Sequence, residues 1–359
     1  MTIIDPKITP SDLSQCNDAA SFLQSGFWGS FKARFGWNAR GFLVDWGELK
    51  QTPLMVIRRR LGPWISFAYV PWGPELPAGF PPDDVARNQA LVSIARSLKN
   101  FLPKDTAFVR FDPPWFTEDA PRNKSTVPFP QTPRILKPFS RAGADIQPPD
   151  TVLIDIIPEE SDILARMKSK WRYNVRLAVK KGVTVRQADA NELPKFYKIL
   201  KETAKRDGIA IHNIGYYEML FSHCRDYPQG GQETALYLAE HEGEVLAGAV
   251  VLLRGGNAVY LYGASSDNKR NLMAPYLVQW KAMTDAKAKG CAVYDLFGIP
   301  PSEDSSHPMA GLYQFKTGFG GRVIHRPGSW DYAYHPLAKT LFTTAESLRK
   351  KLRSLKKRG

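Results

Sequence analysis

One order of segments occurs twice along this chain, and no other feature narrows its fold as much. In the first pass a helix-patterned stretch, ASFLQSGFWGSFKARFGW, precedes three strand-patterned runs, ARGFLVDWGE, PLMVIRRRLG and PWISFAYVPWGPEL. A helical run, VARNQALVSIARSLKNFL, and a strand, TAFVRFDPPW, close it. The second pass opens on LPKFYKILKETAKRDG. Strands TALYLAEHEGE, VLAGAVVLLRGG and NAVYLYGASSD follow, then the helix PYLVQWKAMTDAKAKG and the strand AVYDLFGIPP. Strands are assigned where β-branched and aromatic residues alternate between Gly, Asp and Asn turns. Helices are assigned where apolar residues recur every three to four positions. Both passes end on a proline pair, Pro113-Pro114 and Pro300-Pro301. A repeat this long implies duplicated domains rather than a solenoid. The boundary falls in the Pro-rich region 113–149. This predicts a first domain over 1–149, completed by 325–359, and a second over 150–324. The mixed order of strands and helices predicts α+β layers, with helices packed on largely antiparallel sheets.

The 359 residues carry a net charge of +14, a balance that favours anionic partners such as nucleic acid, phosphorylated substrates or an acidic membrane surface. The excess is unevenly placed. Residues 339–359 hold eight basic side chains against Glu346 alone, and 166–186 hold eight with no acidic one. In the tail, Leu341, Ala345, Leu348, Leu352 and Leu355 recur at helical spacing, so 339–359 reads as a basic amphipathic helix. Three uses stay open for it: lying on an anionic membrane as a peripheral contact, clasping RNA, or packing its stripe on the first domain with its charges in water. Hydrophobic residues at 43% and charged residues at 23% exclude a disordered chain. No apolar run approaches the ~20 residues of a membrane span. The N-terminus, MTIIDPKITPSD, lacks the basic-then-apolar order of a signal peptide. Cys16, Cys224 and Cys291 are isolated, which fits a reducing cytoplasmic setting. The chain reads as a cytoplasmic monomer.

Several stretches carry candidate chemistry. RMKSKWRYNVRLAVKKG reads as one helix stopped by Gly182, with Leu164, Met167, Trp171, Val175 and Ala178 as its apolar stripe. Lys168, Arg172, Arg176 and Lys180 recur every four residues as a basic ridge able to track phosphates, or simply as a solvated face. Lys32 beside Trp28 suits a phosphate next to a stacking surface, or a surface lysine beside core aromatics. Asp112 ends a strand just before Pro113, where a carboxylate can face a cleft or form a turn. Lys316 stands between Phe315 and a glycine-rich turn, where it can offset charge that develops as an ester opens, or merely flank a glycine hairpin. The turn Asn268-Lys269-Arg270-Asn271 opens a helix, a setting that binds anions, and Asn271 is placed to cap that helix. No nucleophile elbow, zinc-binding helix or P-loop occurs, and the six histidines lack metal-ligand spacing. No cofactor and no metal are expected.

The segments FLQSGFWGSFKARFGW, KWRYNVRLAVKKGV, YLYGASSDNKRNLMAPYLVQWKAM, YDLFGIP and GLYQFKTGFGG, in this order, resemble successive signatures of the FemABX family. Those enzymes move amino acids from aminoacyl-tRNA to the peptide stem of peptidoglycan precursors. The resemblance spans about residues 22–330 and implies two tandem domains of the GCN5-type acetyltransferase (GNAT) fold, in the compact form without a coiled-coil arm. It implies a precursor-binding first domain and an aminoacyl-tRNA side on the second. It implies that Lys316 serves aminoacyl transfer, with Asp112 as a second catalytic candidate, and that Lys32 contacts the lipid-linked or nucleotide-linked precursor (lipid II or UDP-MurNAc-pentapeptide). In the family block similar to RDGIAIHNIGYYEML, an arginine and a tyrosine four residues apart contact the precursor's phosphates. Tyr216 fits the tyrosine, His212 stands in place of the arginine, and Arg206 is placed to compensate. Trp28, Tyr260, Tyr262, Arg270 and Phe315 join them on the substrate side, and Lys168, Arg172, Arg176 and Lys180 on the tRNA side. The function so implied is tRNA-dependent aminoacyl transfer to a side-chain amine of the peptidoglycan stem. An N-acyltransferase of the same fold using acyl-CoA, and a non-catalytic RNA- or membrane-binding protein, are the alternatives.

Overall fold

The computed structural model describes residues 5–118, 132–301, 304 and 306–355. In chain order the first elements are β1 (Lys7–Ser11), α1 (Gly26–Ala33), β2 (Asn38–Trp46), β3 (Leu49–Arg60), β4 (Ser66–Val70), α2 (Asp84–Leu98), β5 (Thr106–Phe111), β6 (Thr117–Glu118) and β7 (Ser140–Arg141). Then come β8 (Asp150–Asp155), α3 (Glu160–Arg166), α4 (Ser169–Lys180), β9 (Thr184–Ala188), α5 (Leu193–Asp207), α6 (Ile214–Asp226), β10 (Gln232–His241), β11 (Glu244–Arg254) and β12 (Asn257–Ser265). The chain closes with α7 (Ala274–Ala288), β13 (Val293–Gly298), α8 (Ala310–Thr317), β14 (Arg322–His325), β15 (Trp330–Ala333) and α9 (Pro336–Leu355). Described residues up to 117, with 132–149 and 325–355, form one compact unit; residues 118 and 150–324 form the other.

Each unit holds one mixed sheet, and the expected α+β architecture is present. The first sheet has the order β1-β2-β3-β4-β5-β15-β7 and the second β6-β14-β8-β13-β12-β11-β10-β9. Both contain the same piece of topology. An antiparallel meander (β2-β3-β4; β10-β11-β12) continues through a helix (α2; α7) into a strand parallel to the meander's last one (β5; β13). A parallel neighbour requires a crossover, and the helix supplies it while covering the sheet. The meander strands alternate because one face is buried. Phe42, Val44 and Trp46 on β2 join Leu54 and Val56 on β3 in the first core, as Ala235, Tyr237 and Ala239 on β10 join Ala247, Ala249 and Val251 on β11 in the second. Among the described residues no helix is long and apolar enough to cross a membrane.

The structure corrects two readings of local shape. The basic helix expected over 166–182 is two helices, α3 and α4, broken at Met167 and Lys168, whose backbones are extended. The cause lies far along the chain. The Gly318–Gly321 turn sits in the joint, with the Lys168 N–H donating to the Gly318 carbonyl at 2.9 Å. A Cβ on Gly318 would fall 2.1 Å from the Trp171 ring, and one on Gly320, at φ +82°, 2.3 Å from the Arg166 carbonyl oxygen. These glycines are therefore explained by close packing on α3 and α4. The second correction concerns the tail. Leu341 and Ala345 of the expected stripe are exposed, and the packed face of α9 runs through Phe342, which meets Phe67 and Phe108, and Glu346, which pairs with Arg110. Leu348, Leu352 and Leu355 have side chains outside the described set.

Candidate active site

Strands β12 and β13 pair over three residues only, Asn257–Val259 with Val293–Asp295, and then part. Lys316, in the last turn of α8, spans the opening. Its Nζ donates to the Gly298 carbonyl on β13 at 2.8 Å and lies 5.3 Å from the centre of the Tyr260 ring on β12. Lysine 316 is thus on a helix, and not on the glycine turn that follows it. Burial pulls its ammonium down to about 7, opposed by the Asp295 carboxylate. Asp295 is itself buried, accepting from the Thr151 hydroxyl and, at 2.7 Å, from the Phe297 N–H. That second bond holds Phe297 at φ +58°, a conformation non-glycine residues seldom adopt. The reversal carries Gly298 to the lysine. Gly263 has a matching reason to be glycine: a Cβ there would collide with the Tyr260 hydroxyl.

A bulge in β12 decides what the two candidate tyrosines touch. Val250 and Val251 on β11 face Tyr262 and Tyr260, so Leu261 is the extra residue and the strand's alternation is broken. Tyr260 consequently meets Lys316. Tyr262 meets α6: its ring is 5.0 Å from Tyr217 and its hydroxyl 3.5 Å from that of Tyr216. Burial raises all three phenols above their ordinary range, Tyr217 to about 12. His212 stacks flat on Tyr216, with ring centres 3.8 Å apart and planes 12° from parallel. The cap of α6 is Asn213, whose side chain accepts from the Tyr216 N–H at 3.1 Å. Arg206 has partners of its own. Its guanidinium is bound to Asp267, Asp207 and the Ser265 carbonyl.

The first unit gathers a second set. Asp112, just past β5, is 3% exposed and accepts from the hydroxyls of Tyr69 and Ser329. Burial pushes its carboxyl up to about 6, with the two hydroxyls pulling the other way. Aromatic contacts run on from there. Tyr69 lies 6.3 Å from Trp37, over which Arg59 sits at 5.4 Å. Burial, with Arg59 adding to it, lowers the Lys32 ammonium to about 8. Lys32 covers Trp28 at 5.6 Å, and Trp28 is buried against Phe22 and Phe31. Two residues chosen from sequence, Lys32 and Asp112, thus each lie beside aromatic side chains of the first unit, Lys32 beside Trp28 and Asp112 beside Tyr69. Tyr69 and Ser329 were not foreseen. Ser329 reaches the site from the C-terminal segment, and no local pattern marks it.

The remaining candidates are placed as follows. Phe315 packs against Tyr276 and Phe319 while its carbonyl accepts from the Trp171 indole at 2.8 Å. On α4, Lys168 is the first cap and lies over Trp171, and Arg172 donates to the Ala165 and Met167 carbonyls at the end of α3. The solvent face is accordingly Lys170, Tyr173, Arg176 and Lys180, all exposed. In the 268–271 turn, Lys269 is bound by Glu242 at 2.8 Å and Glu244 at 3.6 Å, while Arg270 is exposed. The helix cap is Met273 at φ +58°, without a side-chain bond, so Asn271 does not cap. The N–H groups of Leu272, Met273 and Tyr276 are bonded inside the turn, and Pro275 has none. Little is left there of a backbone anion cradle. Among the described residues no group of three or more His, Cys, Asp or Glu side chains could hold a metal ion.

The two units share one order of elements, an antiparallel meander, a helix and a strand parallel to the meander's last one. The chain belongs to the FemAB family, whose model matches residues 11–240 and 231–347. It is an aminoacyltransferase. It is 24% identical to the lipid II:glycine glycyltransferase of Staphylococcus aureus strain MRSA252, over 95% of this chain and 94% of that protein. It is also 24% identical to the enzyme of the same name from S. aureus strain bovine RF122 / ET3-1, over 93% and 92% of the two chains. The crystal structure of FemX has a similar fold, with a TM-score of 0.73 at 20% identity, covering 94% of this chain and all of that one.

Proposed function

We propose that this enzyme transfers an amino acid from aminoacyl-tRNA to the side-chain amine of the peptidoglycan stem peptide, carried on a lipid-linked or nucleotide-linked precursor. The observation that carries the reading is Lys316, buried and held at the opening between β12 and β13. An aminoacyl ester is already activated, so no enzyme nucleophile is needed. The acceptor amine attacks the ester carbonyl, a C–N bond forms, the bond to the ribose oxygen breaks, and the amine's proton passes to that oxygen. Positioning supplies much of the rate. Lys316 in its charged form offsets the oxyanion that forms on the way. The first unit binds the precursor, with Lys32 meeting its phosphates, and carries Asp112 as a second catalytic candidate. Tyr216, His212, Tyr260, Tyr262, Phe315 and Arg270 complete the substrate side on the second unit. The work is done at the cytoplasmic face of the membrane by a monomer, with the basic tail toward the lipid.

The reading favours tRNA over coenzyme A because the turn before α7 has bonded the N–H groups of Leu272 and Met273 internally. Calorimetric titration tests this: binding of charged tRNA and none of coenzyme A is expected, and saturable coenzyme A binding overturns the donor. The α4 face makes a separable prediction. Reversing Lys170, Arg176 and Lys180 to Glu should weaken tRNA binding and lower its log–log salt slope by about 2. Reversing Arg172 should instead lower the melting temperature, since its guanidinium binds the carbonyl end of α3. Unchanged tRNA affinity in the triple variant removes α4 from the tRNA side.

A further inference from the structure

Four large apolar side chains lie uncovered at one end of the first sheet. The β3–β4 turn carries Leu61, 38% exposed, and Trp64, 87% exposed; the first turns of α9 carry Leu337, 84% exposed, and Leu341, 73% exposed. The two segments that carry them both meet the short turn before β5. Ser66, two residues after Trp64, donates its N–H to the Asp105 carbonyl at 2.9 Å. His335, two residues before Leu337, has its Nε2 3.2 Å from the Lys104 carbonyl. Farther along, Phe342 stacks on Phe67, so α9 and β4 stay side by side.

The charges at this end have one dominant sign. Asp105 is bound by Arg58 at 3.5 Å. Arg59, Arg60 and Lys104 are exposed, and α9 leads into the basic tail. A tryptophan at the tip of a turn, leucines beside it and a cationic rim match the boundary of an anionic bilayer, where an indole sits among the headgroups and arginines meet lipid phosphates. We propose that this end of the first unit, led by Trp64 and continued by Leu61, Leu337 and Leu341, docks on an anionic membrane surface. The apolar contact is thus the β3–β4 turn with the start of α9, rather than the Leu341–Leu355 stripe. The proposal goes beyond the transfer chemistry, and vesicles free of tRNA and precursor test it alone.

The full chain is sedimented with vesicles of phosphatidylglycerol mixed into phosphatidylcholine, and with phosphatidylcholine alone. Binding to the anionic vesicles is expected, about tenfold weaker in Trp64→Ala, at an unchanged melting temperature. The Leu337→Ser, Leu341→Ser double variant should behave likewise. The wild-type fluorescence less that of Trp64→Phe should shift to the blue on anionic vesicles. Wild-type protein that ignores anionic vesicles, or Trp64→Ala that binds as well as wild type, overturns the proposal. So does a vesicle-free dimer that Trp64→Ala disperses, since a second copy would then own the patch.

Discussion

Lys316→Met is expected to slow the proposed transfer by about 10²–10³-fold and to raise the melting temperature at once. The loss follows from removing a charge set against a developing oxyanion in a site shielded from water. The gain follows from removing an ammonium whose burial pulls it from 10.5 to about 7. Between those two values the unfolded chain binds more protons than the folded one, so the stability contributed at this position rises with pH across the window. The methionine variant should therefore gain most below pH 7, on the order of 5 kcal/mol, and nothing above the unfolded value. The rate has its own signature. Below pH 7 it should climb with pH, as the acceptor amine sheds its proton. Above about 7 it should level off, as Lys316 loses its charge. The variant should lack the break. A wild-type rate that climbs unbroken through pH 7 would mean that the charged lysine is not the working form.

Arg110→Met should destabilise the enzyme by about 3–5 kcal/mol, lowering the melting temperature by about 10 °C. Arg110 stands directly opposite Asp331 across β5 and β15. Its Nε and an Nη donate to the two carboxylate oxygens at 2.7 and 3.1 Å, with both side chains shielded from solvent. Glu346 on α9 and the Ala144 carbonyl take further bonds at 3.3 Å. One guanidinium thus ties the returning C-terminal segment to the first sheet. Removing it leaves Asp331 charged and buried, which costs more than the pair contributes. Adding Asp331→Leu to Arg110→Met should recover much of the loss, whereas a double variant no better than the single one would assign the effect to packing around Phe108 and Phe342.

The elements that alternate or repeat every three to four residues were legible, because burial of one face imposes those periods. β10, β11, β12, α7 and β13 all lie within a few residues of where their patterns place them. The break between α3 and α4 was not legible. Leu164, Met167 and Trp171 keep helical spacing straight through it, and the turn that forces it comes far later in the chain. The site divides along the same line. Lys316, Tyr260, Lys32 and Asp112 stand out as residue types in suggestive company. Their partners Gly298, Asp295, Tyr69 and Ser329 are unremarkable in sequence and matter only through long-range pairing. The bulge at Leu261, which sends Tyr260 to Lys316 and Tyr262 to α6, depends on β11 as much as on β12.

Mass spectrometry of the acceptor peptide tests the central claim most directly. The full chain is incubated with a mixture of charged tRNAs and a peptidoglycan precursor in lipid-linked or nucleotide-linked form. The account predicts that the stem peptide gains the mass of one or more amino-acid residues on its side-chain amine, and that ribonuclease treatment of the tRNA beforehand abolishes the gain. A peptide left unchanged by every charged tRNA, yet acylated from a coenzyme A thioester, would contradict it.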